Sequence, residues 1–264
     1  MKIKIFKYLK FWQMTATYTT QIAFISRFGA FLFIFGKFLR FFLFLGFILL
    51  VATKTSALSG YSLWQIILFY ATFNLIDTSV QFFFREVYRF RSYVVSGDFD
   101  YFLTKPISPL FRALFGGSDI LDLPMFVASI ILTIISINNL GGLTFAGLAL
   151  YFILIGCGLI IAFAFHAAVL AIGVLTTEVD NTIMMYRDLT SMGRFPVDIY
   201  REPLRTIITF VIPVGIMMTF PAKALIGIFS PFLVLFALII SSVFLASSLK
   251  FWQYALKNYT SASS

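Results

Sequence analysis

One cysteine and one histidine are all this 264-residue chain has of either residue. A single cysteine cannot form an internal disulfide, and Cys157 with His166 on one apolar run is not a zinc ligand set. The chain has no G-x-x-x-x-G-K-[ST] phosphate loop, so it lacks the standard nucleotide-binding apparatus. It is also poor in charge: 12% of residues are charged, against roughly 25% in soluble domains. The acids are the scarcer sign, 11 against 20 Lys and Arg, for a net charge of +9. That balance invites a nucleic-acid reading, but the basic residues sit in the gaps between apolar runs, where a membrane protein keeps them. No nucleic acid is expected as a partner.

What fills the chain is hydrophobic sequence, 60% of it, with 35 phenylalanines. Phe31–Ala52, Leu63–Phe84, Ile120–Ile137, Phe145–Thr177 and Ser230–Leu249 are long apolar runs, and Ile207–Phe220 is a weaker sixth. About 20 apolar residues in a helix cross a hydrocarbon core of about 30 Å. These runs are continuously apolar and do not alternate, which excludes a transmembrane β-barrel. The expected fold is all-α, a polytopic bundle of six transmembrane helices forming one domain over residues 1–264. No soluble domain fits beside it. Most of the phenylalanines face lipid or pack between helices, so none is given a substrate role.

The N-terminus imitates a signal peptide, but Lys2, Lys4, Lys7 and Lys10 interrupt any apolar core. Residues 1–28 instead suit a basic amphipathic helix on the anionic cytoplasmic surface. From there the first span leaves through Arg27, with Lys37 and Arg40 snorkelling back to the headgroups. Lys54 to Tyr61 is a short outer loop. The second span returns into Arg85, Glu86, Arg89 and Arg91, and residues 85–119 form the most basic loop. Asn138 to Gly142 is an uncharged outer turn, and the last span ends in Lys250 and Lys257. The positive-inside rule then places both termini in the cytoplasm of a multi-pass protein of the cell membrane.

Two stretches resist hydropathy. Phe145–Thr177 is too long for one untilted span. Val179–Phe195 carries Asp180, Arg187, Asp188 and Arg194, and the seven-residue recurrence puts Asp180, Arg187 and Arg194 on one helical face. It reads either as a cytoplasmic surface helix or as a span with its charged stripe turned inward. In the latter case Arg187 needs an acid, either Asp188, Asp180 or one on another helix. Asp119 and Asp122 share a face at the mouth of the third span. With no further His or acidic residue nearby they read as helix N-terminal acids beside Ser118 as N-cap, and no catalytic or metal site is expected. His166 is expected to be a hydrogen-bonded structural residue.

Two segments carry a family resemblance. Gly97-Asp98-Phe99-Asp100-Tyr101-Phe102-Leu103-Thr104-Lys105-Pro106 follows the second span. Gly193-Arg194-Phe195-Pro196-Val197-Asp198-Ile199-Tyr200 precedes Leu204-Arg205 and Phe220-Pro221-Ala222-Lys223-Ala224-Leu225-Ile226-Gly227. Together they resemble the type-2 ATP-binding-cassette (ABC) permeases of the branch with G-x-x-D-x-x-L-x-K-P and G-R-[FY]-P-[VL]-D-[IL]-Y segments.

The resemblance implies an export permease subunit, not itself an enzyme, paired with separate ABC ATPase subunits. ATP and Mg would bind those subunits and no cofactor this chain. A second permease copy or paralogue and membrane lipids are the other implied partners. In that family the loop between spans two and three docks on the ATPase. This role falls on Gly97, Asp98, Asp100, Tyr101, Phe102, Leu103, Lys105 and Pro106, with Phe99, Tyr101 and Phe102 expected to fill a groove on the partner. The resemblance also makes Val179–Phe195 the fifth span and residues 196–226 an outer re-entrant segment, broken at Pro196, Pro203, Pro213 and Pro221 and including Asp198. The chain departs from the wider superfamily in carrying so many charges in span five. The competing functions are a lipid-acting membrane enzyme and a proton-coupled secondary transporter.

Overall fold

In the computed structural model, which describes residues 2–54, 60–142, 144–228 and 230–261, the chain is an all-α polytopic bundle. The expected Lys54–Tyr61 loop lies mostly outside the described residues. Among the described residues, five helices are long and apolar enough to cross a membrane: Arg27–Ala52, Leu63–Val95, Ile120–Leu140, Phe145–Thr176 and Pro231–Lys257. A bent pair, Leu204–Val211 and Gly215–Leu225, makes a sixth if it is taken as one span.

Helix α1 (Lys2–Ala23) precedes α2 (Arg27–Lys54). Helix α3 (Leu63–Phe84) opens on a reciprocal cap: Gln65 N donates to the Ser62 hydroxyl and Ser62 N to Gln65 Oε1. Two of the orphan N–H groups at the helix start are thereby satisfied. The chain then continues through a tight turn, Arg85–Arg89, into α4 (Phe90–Val95), so the second span runs past Arg85 before the loop begins. Two short helices follow, α5 (Phe99–Thr104) and α6 (Pro109–Phe115).

Helix α7 (Leu123–Leu140) starts after a turn capped by the Asp119 side chain, which accepts from Leu121 N at 3.1 Å. Ser118, expected to be the cap, instead accepts from the Trp12 indole at 2.9 Å. Helix α8 (Phe145–Thr176) is uninterrupted over 32 residues, about 48 Å of helix and longer than the hydrocarbon core. It is the hub of the main core, packing on α12 (Pro231–Lys257) through Leu154, Ile161 and Ala237 among others.

Helix α9 (Val179–Ser191) has 13 residues, about 20 Å of rise, too short to span alone. It begins at the Arg91 end, where Asp180 lies 3.7 Å from Arg91. The motif arginine just past its end, Arg194, sits over Phe44 and Phe73, midway along α2 and α3. The turns that follow lead to α10 (Leu204–Val211) and α11 (Gly215–Leu225), bent by 78° around buried Pro213. Pro lacks the N–H and clashes with the preceding turn, so the break belongs there. Pro196 and Pro221 are buried in the same unit and Pro203 is exposed. Irregular backbone at this depth is tolerated because it is covered by protein: Met217 of α11 lies against Gly158 of α8.

Candidate functional site

A cavity of about 460 Å³ is bounded by α2, α3, α7 and α9. Its floor is one face of α3: Tyr70, Phe73, Asn74, Asp77, Thr78, Gln81 and, beyond the helix, Arg85. These positions recur at three and four residues, so they share a side of the helix over about 22 Å of rise. From α2 come Phe33, Gly36, Lys37, Arg40, Phe41 and Phe44; α7 adds Met125, and Asp122, Arg187 and Arg194 complete the lining. The wall therefore holds five cations and two carboxylates.

Part of that charge is paired internally. Lys37 donates to Asp122 Oδ1 and lies 4.0 Å from Asp119, which in turn is 3.6 Å from Arg85. Asp122 Oδ2 is buried without a hydrogen-bond partner among the described residues. Lys37 therefore does not snorkel, as the sequence suggests, because an acid at the start of α7 holds it. The paired acids Asp119 and Asp122 act as its counter-ions.

The rest is not paired. Among the described residues, Arg40, Arg187 and Arg194 have no carboxylate within 4.0 Å. Asp77 is the one remaining acid on the cavity wall. Arg194 is held by aromatic faces, 5.2 Å from the Phe44 centroid and 5.6 Å from Phe73, and Arg187 lies 5.8 Å from Tyr88. Such contacts contribute about 0.5–2 kcal/mol each.

Of the expected charged stripe, Arg187 and Arg194 thus line one cavity, while Asp180 is exposed and paired with Arg91 outside it. Neither Asp180 nor Asp188 partners Arg187. The sequence reading missed Asn74, Asp77, Thr78 and Gln81. Their spacing inside an otherwise apolar run was the available signal.

The segment 97–106 forms a second feature. Gly97 has φ +79°, a conformation that L side chains rarely adopt, so the motif glycine makes the turn between α4 and α5. Phe99 and Phe102 do not project outward. Phe99 is fully buried against Phe90, Trp252 and Tyr259, and Phe102 packs on Tyr93 with Arg112 3.8 Å from its ring. Asp100 accepts from the Tyr259 hydroxyl at 3.0 Å and from Ser261. Asp98 accepts from the Ser96 hydroxyl, and the Pro106 carbonyl accepts from Lys7 at 2.7 Å. Exposed in this segment are Asp98, Tyr101, at 63%, Leu103, Thr104, Lys105 and Pro106.

Helix α1 lies across the adjoining chain. Tyr8 packs edge-on against Phe111 and accepts from Ser108 N, and Thr19 donates to the Ser118 carbonyl. At the opposite end of the bundle Asp198 collects Lys223 at 2.7 Å, Arg205 at 2.8 Å and the Tyr61 hydroxyl at 2.8 Å. Burial works to raise the Asp198 carboxyl, but the bonds from Lys223 and Tyr61 and the charges of Lys223 and Arg205 hold it below the usual range. Burial and the bond to Asp198 push the Tyr61 phenol up. Within α8, Cys157 is buried. His166 donates from Nδ1 to the Ala162 carbonyl at 2.8 Å and packs against Phe84 and Tyr186.

Residues 38–263 match the family described as ABC-2 family transporter protein. No curated protein and no solved structure matches the chain.

Proposed function

We propose that this chain, which belongs to the ABC-2 transporter family, is the membrane-embedded permease of an ATP-driven exporter whose ATPase is a separate polypeptide. The observation that carries this is the match itself, which covers all five spans except the start of α2, in a chain whose sequence has no phosphate loop of its own. Two such bundles, identical or paralogous, would assemble with two ATPases. Helix α2 supports the dimer: it is the span least covered by its own chain, which leaves apolar surface for a second bundle.

The docking element is α5 with its flanking turns, and its contact residues are Tyr101 and Leu103 with Lys105 on the rim. Phe99 and Phe102 transmit instead of touch: they tie α5 to α4 and to the end of α12, so a push on α5 moves span ends. Both termini and the 97–106 segment are then cytoplasmic, and the Asp198 cluster faces outside.

The test replaces Tyr101 and Leu103 together with alanine in the full chain and follows ATPase co-purification and substrate-stimulated ATP hydrolysis. Loss of either, with the permease still folded, supports docking. Normal assembly and normal coupling in the double variant would remove α5 from the interface.

A further inference from the structure

We infer that the cavity between α2, α3, α7 and α9 takes the oxyanion headgroup of an amphiphile, whose apolar chain lies along α2; this deepens the exporter reading and rests on it. The charge balance gives the sign of the ligand. Lys37 and Arg85 are matched by Asp122 and Asp119, leaving Arg40, Arg187 and Arg194 to face Asp77. The acids facing the site are therefore already counted, and two positive charges remain in excess. Arg187 and Arg194 are partly buried and Arg40 lines the same wall, and an anion in the cavity compensates their charge. Guanidinium groups suit this ligand, because their planar fork matches phosphate and carboxylate oxygens bidentately. Asn74, Thr78 and Gln81 on the floor add polar groups along the same face.

The shape gives the rest of the ligand. A shallow groove along α2, lined by Gly36, Leu39, Arg40, Leu43, Phe44 and Phe47, shares Gly36, Arg40 and Phe44 with the cavity. Leu39, Leu43 and Phe47 make it apolar, and all three are exposed. Charge sits in the chamber and grease in the groove, and Gly36 stands at their junction. A Cβ added at Gly36 meets nothing within 4 Å, so the space where cavity and groove meet is open. A free inorganic anion would use the chamber and have no use for the groove. The occupant is an anionic lipid-like molecule.

The experiment measures binding of three probes to the purified full chain with its ATPase: phosphatidic acid carrying a fluorescent acyl chain, phosphatidylcholine with the same chains, and inorganic phosphate. Phosphatidic acid is expected to bind saturably and about tenfold or more tighter than phosphatidylcholine, with phosphate weaker still. Arg187→Gln with Arg194→Gln should abolish the preference. Gly36→Leu, whose Cβ meets no neighbour within 4 Å and whose branch would fill the junction, should weaken the lipid and leave phosphate unchanged. Equal binding of the two lipids, a preference that survives the double variant, or phosphate binding as tightly as phosphatidic acid would each overturn the inference. So would lipid binding that ignores Gly36→Leu. The same preparation separates the two readings. An ATPase that co-purifies with no headgroup preference defeats only the ligand assignment, whereas a preference in a chain that never retains an ATPase defeats the exporter.

Discussion

Replacing Asp198 by asparagine should be among the more damaging single-atom changes in this protein. The carboxylate holds Lys223 at 2.7 Å, Arg205 at 2.8 Å and Tyr61 at 2.8 Å, and both Asp198 and Lys223 have side chains that are only 13% and 15% exposed. A hydrogen bond to a charged group contributes about 1.5–3 kcal/mol when buried. The Arg205 contact is half exposed and contributes about 0–1 kcal/mol. Asparagine keeps one acceptor, removes the charge and leaves Lys223 buried without its counter-ion. The expected loss is about 3–5 kcal/mol, the range for breaking a buried pair from one side.

Denaturant unfolding of the purified protein in detergent, with Lys223→Gln and the double variant completing a cycle, measures it. The coupling should exceed about 1 kcal/mol between residues in direct contact. The pH dependence has a definite sign. Because the folded carboxyl lies below the ordinary value of about 3.9, the unfolded chain binds the proton first. The contribution is therefore fully present above that value and disappears only as pH falls through the folded one. Asp198→Asn stability within about 0.5 kcal/mol of the parent, or a parent that already loses the contribution between pH 5 and 7, would refute the reasoning.

Further outcomes follow from the same geometry. Gly193→Ala should destabilise by about 1–3 kcal/mol through overpacking, since its Cβ would stand 2.7 Å from Met218 Cγ and 3.0 Å from Val214 Cγ1; thermal unfolding checks it. Phe99→Ala should cost about 3–5 kcal/mol as a core truncation, whereas Tyr101→Ala should stay within about 0.5 kcal/mol of the parent and lose ATPase binding instead. Arg187→Leu removes a cation with no carboxylate within 4.0 Å but with the Tyr88 ring beside it, so the loss of stability should stay within about 2 kcal/mol. A loss of about 3 kcal/mol or more would mean that a buried pair had been broken. Single cysteines at exposed Arg201 and Glu202, in a Cys157→Ser background, should react with an impermeant thiol reagent in intact cells; reaction only after permeabilisation would invert the topology.

The spans were legible because continuous apolar runs leave a helix no other partner than lipid and its neighbours. Phe145–Thr177 was ambiguous only in length, and Thr176 ends it one residue earlier as a single helix. The re-entrant unit came from motif resemblance and prolines, since hydropathy saw only a weak run at Ile207–Phe220. Other features depend on contacts that sequence distance conceals. Lys37 looked like a snorkelling lysine because Asp122, its partner, lies on another helix. Phe99 and Phe102 are three residues apart on a short helix, a spacing that serves an outward docking face and an inward core equally. Phe99 is buried by Trp252 and Tyr259 at the far end of the chain, and Phe102 by Tyr93 and Arg112. Asp77 was overlooked because its run averages strongly apolar. Its meaning appears only when Arg187 and Arg194 are brought opposite it.

The most direct test of the account is to purify the full chain from its native membrane under mild solubilisation and ask what comes with it. An ABC ATPase should be present in equal amount to the permease, with ATP hydrolysis that falls when Tyr101 and Leu103 are both alanine. A folded chain that retains no ATPase, or hydrolysis indifferent to those two side chains, would contradict it.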